Sequence, residues 1–213
     1  MSDISQSVPQ KSGRALKKSQ TRAALIRAAT ELFTELGYAD TTMIGVADRA
    51  NLHVQTLYKH FPNKEALAVA PQRDQLEQFK TALQNRDRTQ RFSSFWRDWA
   101  TASANHTQSR YRDEYLASQQ SISGNPEVVG NQLMISNEYL DLLEIGLADE
   151  LQVDQRESRY PRFFAAMLME ANKIGSAKWV RSMGRDDLVE EISHAADDVF
   201  NLMQLWAKAN GKP

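Results

Sequence analysis

The stretch Thr41–Leu67, T-T-M-I-G-V-A-D-R-A-N-L-H-V-Q-T-L-Y-K-H-F-P-N-K-E-A-L, decides the fold. Met43 to Ala50 reads as one short helix, with Val46, Ala47 and Ala50 on a shared face. The small alanines allow another helix to cross closely. Asn51 suits the left-handed conformation of a tight turn, less readily than glycine would. Leu52 plugs that turn into the core. A second short helix, Val54 to His60, turns Leu57 and Phe61 inward and presents Gln55, Thr56, Tyr58, Lys59 and His60 outward. Pro62-Asn63 ends it, and Asn63 caps a new helix at Lys64-Glu65-Ala66-Leu67. Two short helices with a polar outer row on the second have the layout of a helix-turn-helix, which sets one helix in a DNA groove. The expectation is a DNA-binding regulator and not an enzyme.

Upstream, Leu25, Ala29, Leu32, Phe33 and Leu36 fall at one face of a helix from about Leu16 to Leu36. Gly37 follows where a helix end takes a left-handed residue. Asp40, Thr41 and Thr42 offer oxygens to cap the next helix. Residues 1–14 are polar and read as a disordered tail. Downstream, the apolar spacing predicts helices near 63–86, 90–106, 109–121, 126–152, 156–183 and 185–209. Pro71 breaks or kinks the first of these, as a plain helix boundary or as a hinge. No segment alternates with period two between hairpin turns, so no sheet is expected. The expected fold class is all-α: a three-helix DNA-binding domain over 15–66, then a helical ligand-binding and dimerisation domain over 67–213.

The chain has 213 residues, 41% hydrophobic and 25% charged, enough for a real core. It has no cysteine, which excludes disulfides, thiolate metal sites and a cysteine nucleophile. No segment has the length of a signal-peptide core or a membrane span, so a cytoplasmic protein is expected. The net charge of −1 hides an asymmetry. Residues 1–64 hold nine Lys or Arg against five Asp or Glu, and the remainder seventeen against twenty-two. A basic first third on an acidic body is a modest footprint for nucleic acid.

Groove binding assigns each residue of the segment a task. His53, Val54, Gln55 and Thr56 occupy the start of the second helix, the end that faces base edges. Gln55 suits an adenine edge and Val54 a thymine methyl. Thr42, Tyr58, Lys59, His60 and Lys64 suit phosphate contacts that set register. The basic stretch K-S-G-R-A-L-K-K with Arg22 is either an arm along the DNA backbone or a solvated tail.

The helix A-A-T-E-L-F-T-E-L-G-Y (28–38), then T-T (41–42), V-A-D-R-A (46–50) and above all T-L-Y-K-H-F-P-N-K-E-A-L (56–67) resemble the TetR family of bacterial transcriptional regulators. The resemblance is strong over about residues 20–70 and architectural beyond. Asn51 stands where that family typically has glycine. His53 stands where serine commonly caps the recognition helix, and Gln55 where a small residue is frequent.

The resemblance implies a body that dimerises through its last two helices and holds a small-molecule pocket among the middle ones. Leu188, Ile192, Ala195, Val199, Leu202 and Trp206 form a heptad-like stripe, widened by Val189, Ala196 and Met203. The preceding helix carries Phe164, Met167, Leu168, Ala171, Ile174 and the small run Gly175-Ser176-Ala177. Phe164, Ala171, Gly175, Ile192, Val199 and Trp206 are the expected dimer contacts, against the alternative of an intramolecular core. Phe79, Trp96, Trp99, Tyr115, Met134 and Asn137 are the expected effector contacts, with Asn105 and His106 as further polar material, although aromatics at helical spacing are more often core. His194, Asp197 and Asp198 have a spacing that binds metal weakly, but such trios are far more often a solvated face. No phosphate loop or nucleophile elbow is present, and no cofactor, metal or catalytic residue is expected. The combined expectation is a homodimeric repressor on a palindromic operator in double-stranded DNA, released by a small molecule. The rivals are a constitutive regulator or activator without effector, or a helical enzyme or adaptor that keeps the hairpin.

Overall fold

The computed structural model describes residues 13–122 and 124–212. Among them are ten helices and no strand: α1 (Gly13–Asp40), α2 (Met43–Arg49), α3 (Val54–His60), α4 (Lys64–Ala68), α5 (Ala70–Gln84), α6 (Phe92–Arg110), α7 (Arg112–Ile122), α8 (Pro126–Glu150), α9 (Tyr160–Arg181) and α10 (Leu188–Ala209). The fold is all-α, as expected. The chain forms two compact units, one ending at Ala68 and one beginning at Val69. Residues 1–12 of the expected tail lie outside the described residues, whereas Gly13 and Arg14 already form the first turn of α1. The helix expected over 63–86 is two helices, with Pro71 in the first turn of α5. That position has no helical N–H partner to lose.

In the first unit, α1 buries Leu25, Ala28, Ala29, Leu32 and Phe33. Val46 and Ala47 of α2, Leu57 of α3, Phe61 and Leu67 of α4 complete this core. Full burial of each large side chain contributes about 1.5–3 kcal/mol. Leu36 departs from the expected face and is 53% exposed. Gly37, at φ 83°, turns the chain there. Tyr38 then folds back on Phe33, ring centres 5.3 Å apart, and closes that end of the core in its place. Arg49 grips Glu35 through two bonds of 2.9 and 2.7 Å, fastening α2 to α1. Arg49's hydrogen bonds hold the Glu35 carboxyl below its ordinary pKa. This is a surface pair, so its net contribution is small.

In the second unit, α9 packs between α8 and α10, and α6 lies against α8 and α10. Asn125 caps α8 by accepting from the N–H groups of Glu127 and Val128, both at 3.1 Å. Asp187 caps α10 from Val189 and Glu190 at 2.8 and 3.3 Å. The start of α6 is capped from a distance: Glu150 accepts from the Ser93 N–H at 2.7 Å and its hydroxyl at 2.9 Å. Two glycines allow close crossings. A Cβ on Gly146 would sit 2.2 Å from the Phe92 ring. A Cβ on Gly175 would meet Ile192 at 3.1 Å and the Glu191 backbone at 3.3 Å.

Two of the expected dimer contacts, Gly175 and Ile192, meet at that second crossing. Phe164, Ala171, Gly175, Ile192 and Val199 are buried within one chain, where α9 meets its neighbours. Trp206 is half-buried, its ring 4.4 Å from that of Tyr160 and edge-on to that of Phe164 at 5.8 Å. The heptad-like stripe is therefore mostly monomer core. Met167, Ile174 and Leu202 from the expected faces stay outside, beside Phe163 on α9 and Leu205 on α10, all 37–66% exposed.

Candidate nucleic-acid interface and effector cavity

The turn between α2 and α3 has the hydrogen bonds of a Schellman motif. The Leu52 N–H donates to the Ala47 carbonyl and the Asn51 N–H to the Asp48 carbonyl, each at 2.9 Å. Asn51 sits at φ 53°, the left-handed position expected for it. Thr42 caps α2, accepting from the Gly45 N–H at 3.0 Å. His53 occupies the N-cap of α3 with extended backbone but makes no side-chain cap bond. The weaker cap expected from a histidine in that place is what the backbone has to work with.

Along α3, His53, Gln55, Tyr58 and Lys59 are exposed, and Val54, Thr56 and His60 are half-buried. Leu57, fully buried, anchors the helix from behind. Thr42 is exposed at the start of α2. Burial, then the charges of Lys18 and Arg22, push the pKa of His60 down, so its imidazole is neutral near pH 7. The Arg22 guanidinium lies 4.7 Å from the centre of the Phe61 ring. The basic first turns of α1 thus come beside the end of α3 and are helical where they are described.

Lys64 is the departure. Its ammonium donates to the carbonyls of Tyr38, Ala39 and Thr41 at 2.8, 3.2 and 3.0 Å. It also lies 4.3 Å from the centre of the Tyr38 ring. Without DNA, the Lys64 charge is engaged with carbonyls of the last turn of α1 and of Thr41 just after it.

The second unit holds a half-open pocket of about 140 Å³. Trp96, Trp99 and Tyr115 line it as expected, together with Tyr139, Met169, Leu188 and Ile192. Phe79 does not. It is fully buried behind the wall, with ring centres 5.5, 5.4 and 5.2 Å from Trp96, Trp99 and Tyr139. Met134, 62% exposed, and Asn137 face away, because α8 turns Ile135 and Tyr139 inward instead. Asn105 and His106 are exposed on the far side of α6.

Gln75, Ser103, Thr107, Asn172 and Ser176 supply the polar part of the lining. The sequence reading missed these residues. The available signal was the small run Ala100, Ser103, Ala104 and Thr107, one face of α6 directly after the two tryptophans. Gln75 donates to the Ser103 hydroxyl. Burial pushes the Tyr115 and Tyr139 hydroxyls above the usual tyrosine range. Asp197 pairs with Arg97, and among the described residues no group of three His, Asp or Glu could hold a metal ion. No helix among the described residues is long and apolar enough to cross a membrane.

Residues 25–70 match the family described as bacterial regulatory proteins, tetR family. Over 204 residues the chain is 28% identical to the HTH-type transcriptional regulator TcmR of Streptomyces glaucescens, covering 90% of this chain and 86% of that protein. Its fold is similar to that of NalD of Pseudomonas aeruginosa, the secondary repressor of the MexAB-OprM multidrug efflux pump. The TM-score is 0.64 at 21% identity, covering 86% of this chain and 96% of that one. It is also similar to SmeT in a complex with triclosan, with a TM-score of 0.64 at 20% identity, covering 86% and 91%.

Proposed function

We propose that this chain, a DNA-binding transcriptional regulator of the TetR family, acts as a homodimeric repressor that a small molecule releases from a palindromic operator. The observation that carries the reading is the exposed row His53, Gln55, Tyr58 and Lys59 on a short helix seated by a Schellman turn. Gln55 and the start of α3 read base edges, and Thr42, Tyr58 and Lys59 hold phosphates. A palindrome asks for two copies related by a two-fold axis. The outer row of Phe163, Met167, Ile174, Leu202 and Leu205 supports a pairing surface, since a monomer seldom leaves such a row uncovered.

The cavity among α5 to α10 supports an effector site. An effector acts only by binding one conformation better than the other, so it must favour the arrangement that fits the operator poorly. That NalD is a repressor and SmeT forms a complex with triclosan supports the same reading. Such a regulator works in the bacterial cytoplasm, where the DNA is.

The test is titration of the chain onto DNA flanking its own gene at moderate salt, beside an Ile174→Asp/Leu205→Asp variant. The expected result is sub-micromolar binding by a dimer, with a monomeric variant at least about a hundredfold weaker. Failure to bind any palindromic site would sink the regulator mechanism. A wild-type chain that sediments as a monomer at tens of micromolar removes the dimer.

A further inference from the structure

We infer that the cavity of the second unit takes an uncharged aromatic molecule of about one ring, carrying a hydrogen-bonding group, and rejects ionised ligands. This rests on the reading of the cavity as the effector site. Size comes first. A volume of about 140 Å³ is close to that of a protein cavity of about 150 Å³ known to admit benzene. It is well below the space of a drug-sized ligand.

The walls then choose the shape. Trp96, Trp99 and Tyr139 bring three aromatic rings to the lining, and Met169 a polarisable sulfur. Both favour a flat aromatic guest over a saturated one of equal size. Charge is decided by what is missing from the wall. Among the described residues none of the lining side chains is Asp, Glu, Lys, Arg or His. An ion entering this half-open space would lose part of its hydration with no opposite charge to meet it. The two lining tyrosines stay protonated, since burial opposes their ionisation.

Hydrogen bonding remains available to a neutral guest. The Tyr139 hydroxyl in the lining can donate or accept. Ser103 and Asn172 add a hydroxyl and an amide from two other sides. A neutral phenol-like molecule can be donor and acceptor at once against such a set.

The experiment is calorimetric titration of the full chain at neutral pH with phenol, benzoate and cyclohexanol. Phenol tests ring and hydroxyl, benzoate adds the charge, and cyclohexanol removes the aromaticity. Phenol is expected to bind, with benzoate and cyclohexanol each at least about tenfold weaker. Ser103→Leu, which fills the cavity, is expected to remove phenol binding while circular dichroism keeps its helical signal. Asn172→Leu serves the same purpose if the first variant does not fold. Benzoate binding as tightly as phenol would overturn the inference. So would phenol binding unchanged in a folded cavity-filling variant, or no phenol binding up to about 10 mM. Operator binding by the same ligand-free sample separates the two readings. If it persists while phenol fails, only the ligand class falls. If phenol binds but leaves the operator complex intact, the ligand class stands and the effector role falls.

Discussion

The two units are both small helical cores, but they hold their chemistry in opposite places. The first carries it on the outside of one seven-residue helix, α3, whose inner side is pinned by fully buried Leu57. The second carries it inside, in a cavity shared by side chains of six helices. An outward row depends on local helix geometry and on one turn. An inner cavity depends on how long helices are rotated and how closely they cross. The same mutation size should therefore have different consequences in the two units.

The sharpest way to break this contrast is a pair of core variants. Leu57→Ala removes a fully buried anchor and is expected to cost about 3 kcal/mol by urea denaturation. It should also abolish operator binding, because α3 loses its seat. Gly146→Ala drives a methyl into the buried Phe92 ring and is expected to cost about 2–3 kcal/mol. It should disturb phenol titration and leave operator binding by the folded fraction unchanged. If both variants affect DNA binding equally, the division of labour is wrong.

Lys64 sharpens the contrast within the first unit. Lys64→Gln should lower stability by about 2 kcal/mol, since three carbonyls lose a charged donor. The salt dependence of DNA binding should keep its slope, whereas Lys59→Ala should reduce that slope by about 1. A reduced slope in Lys64→Gln would return Lys64 to the phosphate contacts. A step smaller, Gln55→Ala should change preference at one base pair by about 1–2 kcal/mol, read by competition among operator variants. Tyr58→Phe should weaken all sequences alike. Unaltered preference in Gln55→Ala would pass base reading to its neighbours on α3.

The smallest expected effect is a pH dependence. His60 has its pKa lowered in the folded chain, first by burial and then by Lys18 and Arg22. The unfolded chain therefore takes up a proton more readily. The stability that His60 contributes is complete above about pH 6.5 and is lost as pH falls through that value toward the lower folded pKa. His60→Gln should flatten the fall in melting temperature between about pH 7.5 and about pH 5.5. The same fall in both proteins would assign it to other groups.

Much of the first unit was legible because helical period sorts inner from outer residues without knowledge of partners. Leu57 and Phe61 fell inward, Gln55, Tyr58 and Lys59 outward, and Asn51 took the left-handed turn. Lys64 was not legible. Its partners are carbonyls of Tyr38, Ala39 and Thr41, far back in the chain, and a lysine at a helix start suits phosphate equally well. In the second unit the helices were legible and their partners were not. Spacing put Ile192 and Val199 on one face but could not say whether α9 of the same chain or a second copy covers it. The crossing at Gly175 sets Ile192 against α9 of the same chain. Met134 and Asn137 failed for a related reason: the rotation of α8 about its own axis, which turns Tyr139 to the cavity, is set by packing against α5, α6 and α9.

The central claim, that α3 reads DNA in two copies, is tested most directly by a hydroxyl-radical footprint on the DNA flanking the gene. Two symmetric protected patches are expected, about one helical turn, or a whole number of turns, apart. Both patches should vanish together in Leu57→Ala. Protection of a single patch, or none at micromolar protein, would contradict that claim.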